Sequence, residues 1–233
     1  MRLRRRRRVF TTALTGRRQV AENTLEVSFA RPDGFVFDAG QHVQVRAPRL
    51  LHRDVRGGSR VFSIVSSSWD EEKVSIAFRE TGSGFKRTLR ELDLGSELQI
   101  EGPHGFSTLP RDPARPVALL AGGIGVTPFV SMLRSLDSRA DGGPPITLLY
   151  ANRNARSAAF LGELDEMARG NARLTLCKRF GLLDESFIRK KVDDLECTWY
   201  VAGPPMMVDA ARSALHVLGV DASRVHVEEF VGY

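Results

Sequence analysis

The sequence is poor in cysteine and has no long apolar segment. Its 233 residues include two cysteines, Cys177 and Cys197. An iron–sulfur cluster usually takes four thiolates, so these two cannot hold one, and we expect both in the hydrophobic core. No apolar segment reaches the roughly 20 residues that a membrane-spanning helix needs. The charged N-terminus is not followed by the apolar region of a secretory signal, so we predict a cytoplasmic protein without a transmembrane segment.

The sequence also lacks excess charge outside one short segment. Six of the 34 Lys and Arg residues lie among residues 2–8, and the remaining 28 equal the 28 acidic residues in number. A protein that binds nucleic acid over its surface should carry a basic excess on its body, so we predict no nucleic-acid partner. The basic terminus, residues 1–8, could dock an acidic protein or an anionic membrane surface. The favoured interpretation is a solvated terminus that leads into the first strand.

Residues 9–107 contain short alternating or β-branched segments separated by turn residues such as Gly16. Strands at this spacing indicate an antiparallel barrel or sandwich. One helix is predicted between Phe85 and Leu92, because Phe85, Leu89 and Leu92 share a helical face. The predicted strands are Val9–Leu14, Thr24–Phe29, His42–Arg46, Arg60–Val65, Val74–Arg79 and Glu97–Glu101.

After a proline-containing linker at 112–116, strands alternate with helices. This alternation indicates βαβ units and a parallel sheet covered by helices on both faces. The predicted strands are Val117–Leu120, Ile146–Tyr150, Leu174–Leu176, Trp199–Val201 and Val225–Val227. One helix is predicted to begin near Pro128, and the others cover Ala158–Ala168, Glu185–Lys191 and Pro205–Leu218.

Two turns of the second half suit a dinucleotide. Gly122–Pro128 leads from a strand into a helix, where unpaired N–H groups and the helix dipole favour a phosphate. Thr127 can cap this helix, and Pro128 suits its first turn. A second turn, Ala202–Met207, follows the fourth strand. If the strand order is 3-2-1-4-5, both turns flank the switch point at which open parallel sheets bind ligands.

The segment Arg60-Val61-Phe62-Ser63 suits a flavin nucleotide. It offers a cation for phosphate, a flat ring for the isoalloxazine and a hydroxyl for the reactive ring edge. Six motifs then occur in order along the chain: Gly40-Gln41-His42, Arg60-x-Phe62-Ser63, Gly102–Phe106, Gly122–Pro128, Gly203–Met206 and Glu228-Glu229-Phe230. Together they resemble the ferredoxin–NADP reductase-like flavoproteins, over essentially the whole chain after the arginine run.

This resemblance implies a six-stranded antiparallel FAD barrel with one helix over residues 1–111. After the linker, it implies an NAD(P)-binding domain over 117–233, built on a five-stranded parallel sheet of order 3-2-1-4-5 covered by helices. FAD is preferred over FMN. The phenylalanine and alanine at positions 62 and 202 stand where the family often has tyrosine and cysteine.

The resemblance also implies roles for individual residues. Arg60 would bind flavin phosphate, Phe62 would stack on the ring, and Ser63 would hydrogen-bond near N5. Glu228 would assist proton delivery or partner coupling, and Phe230, or else Tyr233, would cover the ring. Further predicted flavin contacts are Val61, Arg79, Ser83, Gly84, Phe85 and Lys86, and among these Lys86 or Ser83 would hold the pyrophosphate. Predicted pyridine-nucleotide contacts are Gly123, Gly125, Val126, Thr127, Gly203, Pro204, Met206 and Met207.

Cations after the second and third strands favour NADPH over NADH, because Arg153, Lys178 and Arg179 suit a 2′-phosphate. The function implied is hydride transfer from NADPH to FAD, followed by single-electron transfer to a small acceptor such as ferredoxin or flavodoxin. One alternative is an NADH-dependent oxygenase component or a free-flavin reductase. Another is a nucleotide-binding or docking module without redox activity.

Overall fold

The computed structural model describes residues 8–110, 112, 114–136 and 142–230. Tyr233, the arginines at 2–7 and parts of the predicted linker lie outside the described residues. Within the described part of the chain, no helix is both long enough and apolar enough to cross a membrane. The domain boundaries at residues 111 and 117 stay a prediction.

The first half forms a six-stranded antiparallel sheet of order β4-β3-β6-β1-β2-β5. A bridge between Ile64 and Ile76 joins its edges, so the sheet curls into the predicted barrel. Valine and phenylalanine side chains from alternate strand positions fill its core. The elements are β1 (Val9–Ala21), β2 (Thr24–Ala30), β3 (His42–Arg46), β4 (Ser59–Ser63), β5 (Lys73–Arg79), α1 (Gly84–Glu91) and β6 (Glu97–His104).

The second half forms a five-stranded parallel sheet of order β9-β8-β7-β10-β11, which confirms the order 3-2-1-4-5. Hydrophobic clusters cover both faces. The elements are β7 (Val117–Gly122), α2 (Thr127–Leu136), β8 (Ile146–Asn152), α3 (Leu161–Gly170), β9 (Leu174–Phe180), α4 (Glu185–Lys191), β10 (Thr198–Gly203), α5 (Pro205–Val217) and β11 (Val225–Glu229).

Both cysteines lie in the core of the second half, as predicted. Burial, with a smaller contribution from Asp194, raises the pKa of the Cys197 thiol to about 12. Burial also raises the pKa of Cys177. Both thiols are therefore protonated and poorly reactive at neutral pH.

Two local predictions are wrong for backbone reasons. Gly16 does not end the first strand, because β1 continues to Ala21 with a register shift between Leu14 and Gly16. The glycine lies at a bulge, where an extra residue bends a strand without ending it. The third helix begins at Leu161 instead of Ala158, because Phe160 adopts a left-handed conformation (φ 59°) before it.

A partly buried ion-pair network joins the two halves. Arg134 on α2 lies 2.8 Å from Glu26 of β2 and 2.6 Å from Glu163 of α3. Arg18 of β1 pairs with the same two carboxylates. Arg134 also donates to the Val65 carbonyl (3.0 Å). This arginine–glutamate network fixes the barrel against the parallel sheet and so sets the position of the site between them.

Candidate functional site

A carboxylate from the chain itself occupies the N-terminus of α1. Asp54 Oδ2 accepts from the Phe85 N–H (2.9 Å) and from the Ser83 hydroxyl (2.7 Å). Its Oδ1 accepts from Arg60 (2.5 Å) and from the Arg56 N–H (2.9 Å). Burial opposes ionisation, but these four hydrogen bonds hold the pKa of Asp54 well below its ordinary value. The donors therefore form an anion site, and they are of the types that bind phosphate.

Further positive charge surrounds this carboxylate. Burial, followed by the charges of Arg60 and Arg56, lowers the pKa of Lys86 to about 8. Lys86 Nζ donates to the Arg79 carbonyl (2.9 Å) and to Thr81 Oγ1 (3.2 Å). The predicted phosphate-binding residues are thus brought together, but their contacts in this conformation are to protein groups.

The ring predicted to stack on a flavin is covered. Phe62 is only 7% exposed. Phe85 stacks on it at 6.1 Å and Phe78 packs at 5.7 Å, while Arg60 lies over Phe85 at 5.5 Å. Its neighbour Val61 is 61% exposed. The stacking role of Phe62 stays a prediction that requires its covering residues to move.

The end of β4 meets the end of β11. The Ser63 hydroxyl donates to Glu228 Oε1 (3.3 Å), although 165 positions separate the two residues. Burial raises the pKa of Glu228, and the Ser63 hydrogen bond only partly opposes this effect. The two predicted catalytic residues are therefore adjacent, and Glu228 holds its proton more tightly than an exposed carboxylate does.

His42 lies beside this pair, and sequence reasoning gave it no role. Its Nδ1 is 4.0 Å from Glu228 Oε1, and its ring lies 5.8 Å from that of His104. Burial and the neighbouring His104 lower the pKa of His42. The register of β3 against β4, which places His42 opposite Ser63, was the signal that could have identified it.

The two glycine-containing turns of the parallel sheet are in direct contact. A Cβ on Gly125 would lie 2.3 Å from the Ala202 carbonyl oxygen and 2.5 Å from the Gly203 Cα. The Phe230 N–H donates to the Gly203 carbonyl (3.0 Å), so Phe230 also lies beside these turns. Met206, in the second of these turns, has an exposed side chain.

Other residues of these turns have structural contacts. The methyl group of Met207 lies where a Cβ on Gly122 or Gly203 would be, and Pro204 precedes α5 as its cap residue. The prediction that Thr127 caps the start of α2 is wrong. A 3-10 turn over Gly123–Val126 runs directly into α2, and the Thr127 hydroxyl donates back to the Ile124 carbonyl (3.0 Å).

Barrel and sheet also meet at the first glycine turn. Arg79, at the end of β5, donates to the Ser157 carbonyl (3.0 Å) and lies against Gly123. The Tyr150 hydroxyl lies 3.1 Å from the carbonyl oxygens of both Gly123 and Ala159 and can donate to either. Next to it, the buried Asn152 Oδ1 has no hydrogen-bond partner among the described residues. Asn152 ends β8 at the carboxyl edge, so this acceptor suits a ligand hydroxyl there.

The three cations predicted to select NADPH differ in their surroundings. Lys178 pairs with Asp165 (2.8 Å) and Arg179 with Asp184 (3.1 Å). Arg153, directly after β8, is exposed and has no ion pair within the described part of the chain. Arg153 is therefore the strongest of the three candidates. Among the described residues, no cluster of His, Cys, Asp and Glu could hold a metal ion.

Sequence comparison identifies relatives for this arrangement. Residues 119–213 match a family model described as an oxidoreductase NAD-binding domain. Ferredoxin–NADP reductase B of Sorangium cellulosum is 35% identical over 71% of this chain and 67% of its own length. The ferredoxin reductase component of a 3-ketosteroid-9-alpha-monooxygenase from Mycobacterium tuberculosis is 31% identical over 87% of this chain. The chain spans 60% of that relative's length.

Solved structures share the fold. A cytochrome P450 reductase from Amycolatopsis aligns with 96% of this chain and 70% of its own, with a TM-score of 0.81 and 23% identity. Phthalate dioxygenase reductase aligns with 95% of this chain and 68% of its own, with a TM-score of 0.76 and 23% identity. The chain belongs to the ferredoxin–NADP reductase-like family of flavoprotein oxidoreductases, whose members use a flavin and a pyridine nucleotide.

Proposed function

We propose that this chain transfers a hydride from NADPH to FAD and then delivers single electrons to a small acceptor. One observation carries the proposal: the segments predicted to bind flavin and pyridine nucleotide meet at one place. Ser63 of the barrel contacts Glu228 of the sheet, and Arg79 of the barrel lies against Gly123. The glycine turns at Gly125 and Gly203 touch beside them.

The residues present fit the phosphate of a flavin nucleotide, since the donors at α1 already hold an anion. When bound, FAD would supply the hydride acceptor and the single-electron donor. Arg60, Ser83 and the Phe85 N–H would hold the phosphate and thereby fix the position of the ring. The Ser63 hydroxyl would form a hydrogen bond with N5. Ser63 donates to Glu228, and Glu228 has a raised pKa, so Glu228 would accept through Ser63 the proton that N5 loses as electrons pass to the acceptor.

The similarity to ferredoxin reductases suggests the electron acceptor. A ferredoxin–NADP reductase and a ferredoxin reductase component are both among the relatives, which favours ferredoxin, with flavodoxin as the alternative. The monooxygenase component and phthalate dioxygenase reductase also favour a second candidate, the NADH-dependent reductase of an oxygenase. Comparing kcat/KM for NADPH and NADH, and then titrating with a ferredoxin, separates the two.

The first test is the colour of the protein. Purified protein, or protein incubated with FAD and desalted, is expected to be yellow and to bleach when NADPH is added without oxygen. Absorbance near the flavin bands measures both steps. Protein that stays colourless after reconstitution, or yellow protein that neither NADPH nor NADH bleaches, contradicts the proposed function.

The second test concerns the choice of nicotinamide. Arg153→Ala is expected to lower kcat/KM for NADPH about tenfold while leaving the value for NADH unchanged, because one charge-assisted hydrogen bond to the 2′-phosphate is lost. Lys178→Ala is the matched control and should change the ratio little, since its ammonium group pairs with Asp165. An unchanged ratio in Arg153→Ala would refute the phosphate role.

A further inference from the structure

We propose that Asp54 is an internal competitor for the flavin phosphate, so that the loop carrying it must release α1 before the nucleotide binds. The inference rests on the proposed function, because it assigns a determinant of cofactor affinity within that site. The loop is residues 47–58, between β3 and β4, and is called here the Asp54 loop. Its aspartate occupies the donors that the phosphate needs.

Asp54 accepts hydrogen bonds from the donors around it through both carboxylate oxygens. Each carboxylate oxygen accepts two hydrogen bonds, and the side chain is only 4% exposed. Arg60 directs its remaining contacts to the carbonyl groups of Arg56, Gly57 and Ser59. A phosphate that takes the Arg60 Nη2 group and the Phe85 N–H must replace this carboxylate, because the same N–H groups cannot serve both anions.

The backbone of the Asp54 loop also covers the start of α1. A Cβ on Gly84 would lie 2.3 Å from the Arg53 carbonyl oxygen and 2.7 Å from that of His52. The Leu51 N–H donates to Thr88 Oγ1 (3.0 Å), and His52 lies 2.6 Å from Glu91. These contacts attach the loop along one side of the helix, so releasing Asp54 requires the 51–54 segment to move as a unit.

The same movement would uncover the aromatic ring. Arg60 bridges Asp54 and the face of Phe85, and Phe85 stacks on Phe62. Once Arg60 turns toward a phosphate, the contact that helps hold Phe85 over Phe62 is lost. Phosphate binding and exposure of the stacking ring are thereby coupled through one arginine. Protein without flavin exchanges between a closed and an open conformation of the Asp54 loop. The apparent affinity for flavin is proportional to the fraction of molecules in the open conformation.

The test compares flavins with and without phosphate. Asp54→Asn removes the competing charge and is expected to tighten FAD and FMN binding about tenfold, by raising the open fraction. Riboflavin lacks the phosphate but needs the same uncovered ring, so its binding should also tighten, and unchanged riboflavin binding would contradict the coupling of the loop to Phe62. Flavin fluorescence quenching measures all three dissociation constants. Asp184→Asn is the matched control, because Asp184 also caps a helix, accepting from the Phe187 N–H on α4.

A second measurement uses the wild-type protein and does not depend on how the variant folds. Hydrogen exchange of peptides covering residues 47–58 should become faster when FAD is added, because the Arg56 N–H loses its bond to Asp54. Equal FAD affinities in Asp54→Asn and wild type, or flavin binding without faster exchange in the loop, would overturn the inference while leaving the reductase proposal intact.

Failure of the proposed function gives a different pattern. If neither protein binds flavin, calorimetric titration with inorganic pyrophosphate still tests the anion site. Asp54→Asn should then bind pyrophosphate at least about tenfold more tightly than wild type, by the same population argument. If pyrophosphate binding is also unchanged, Asp54 does not compete for that site and the inference is wrong.

Discussion

Replacing Arg134 with methionine is expected to lower the free energy of unfolding by about 2 kcal/mol, because Glu26 and Glu163 lose their less exposed partner and keep only Arg18. Burial acts to lower the pKa of Arg134, but its bonds to Glu163 and Glu26 raise that pKa above its ordinary value. The pairing therefore outweighs the cost of removing the guanidinium from water. Methionine keeps most of the aliphatic volume, so the loss measured is mainly that of the charge.

The consequence for the site follows from where the network lies. Glu26 belongs to the barrel, whereas Arg134 and Glu163 belong to the parallel sheet and its helices. Arg18 would still pair with both glutamates in the variant, but from the exposed side. Loosening the network should let the barrel and the sheet shift, and the Ser63–Glu228 contact lies between them. We therefore expect the variant to lose turnover at temperatures below its unfolding transition.

Urea unfolding followed by circular dichroism measures the stability change, and Arg90→Met provides the control. Arg90 also pairs with two carboxylates, Glu80 and Glu91, but at an exposed position. Its loss should leave the transition nearly unchanged, since exposed ion pairs are screened by solvent. Similar transitions for the two variants would mean that the arginine–glutamate network does not hold the halves together.

Much of the fold could be predicted because local patterns decide it. α4 begins and ends where the sequence predicts, because Asp184 caps it and basic residues fill its last turn. The alternation of apolar strands with helices likewise predicts the parallel sheet, and the resemblance to the family implies its order 3-2-1-4-5. Boundaries failed where a single backbone conformation decides them, as at the Gly16 bulge and the left-handed Phe160.

The candidate site was harder to predict because its contacts are long-range. Arg60 and Ser83 were identified as phosphate-binding residues, but no local pattern indicates that Asp54 lies between them. Phe62 has the residue type expected of a stacking ring, whereas its burial depends on the packing of Phe85 from a distant helix. Residue type predicts which side chains can bind a ligand. The protein groups that these side chains contact depend on tertiary packing.

Gly125→Ala is expected to destabilise the parallel sheet by about 3 kcal/mol, as overpacking of a tight backbone contact does. The added Cβ would lie 2.3 Å from the Ala202 carbonyl oxygen and 2.5 Å from the Gly203 Cα. Both neighbours are backbone atoms of the adjacent strand's end, so no side-chain rotation relieves the clash. The two turns must separate, and we expect the affinity for NADP⁺ to fall with stability.

The matched control is Gly162→Ala, at the start of α3, where an added Cβ meets no atom within 4 Å. That change should leave NADP⁺ affinity unaltered and raise stability by up to about 1 kcal/mol, because alanine favours the helix over glycine. Neither glycine has a positive φ, so backbone strain does not contribute to the comparison. Chemical unfolding and NADP⁺ titration of both variants measure the effect. The contact at Gly125 is between the two turns themselves. A Gly125→Ala protein with wild-type stability would therefore contradict the predicted destabilisation. If its NADP⁺ binding were still weakened, the close approach of the turns would serve the ligand more than the fold.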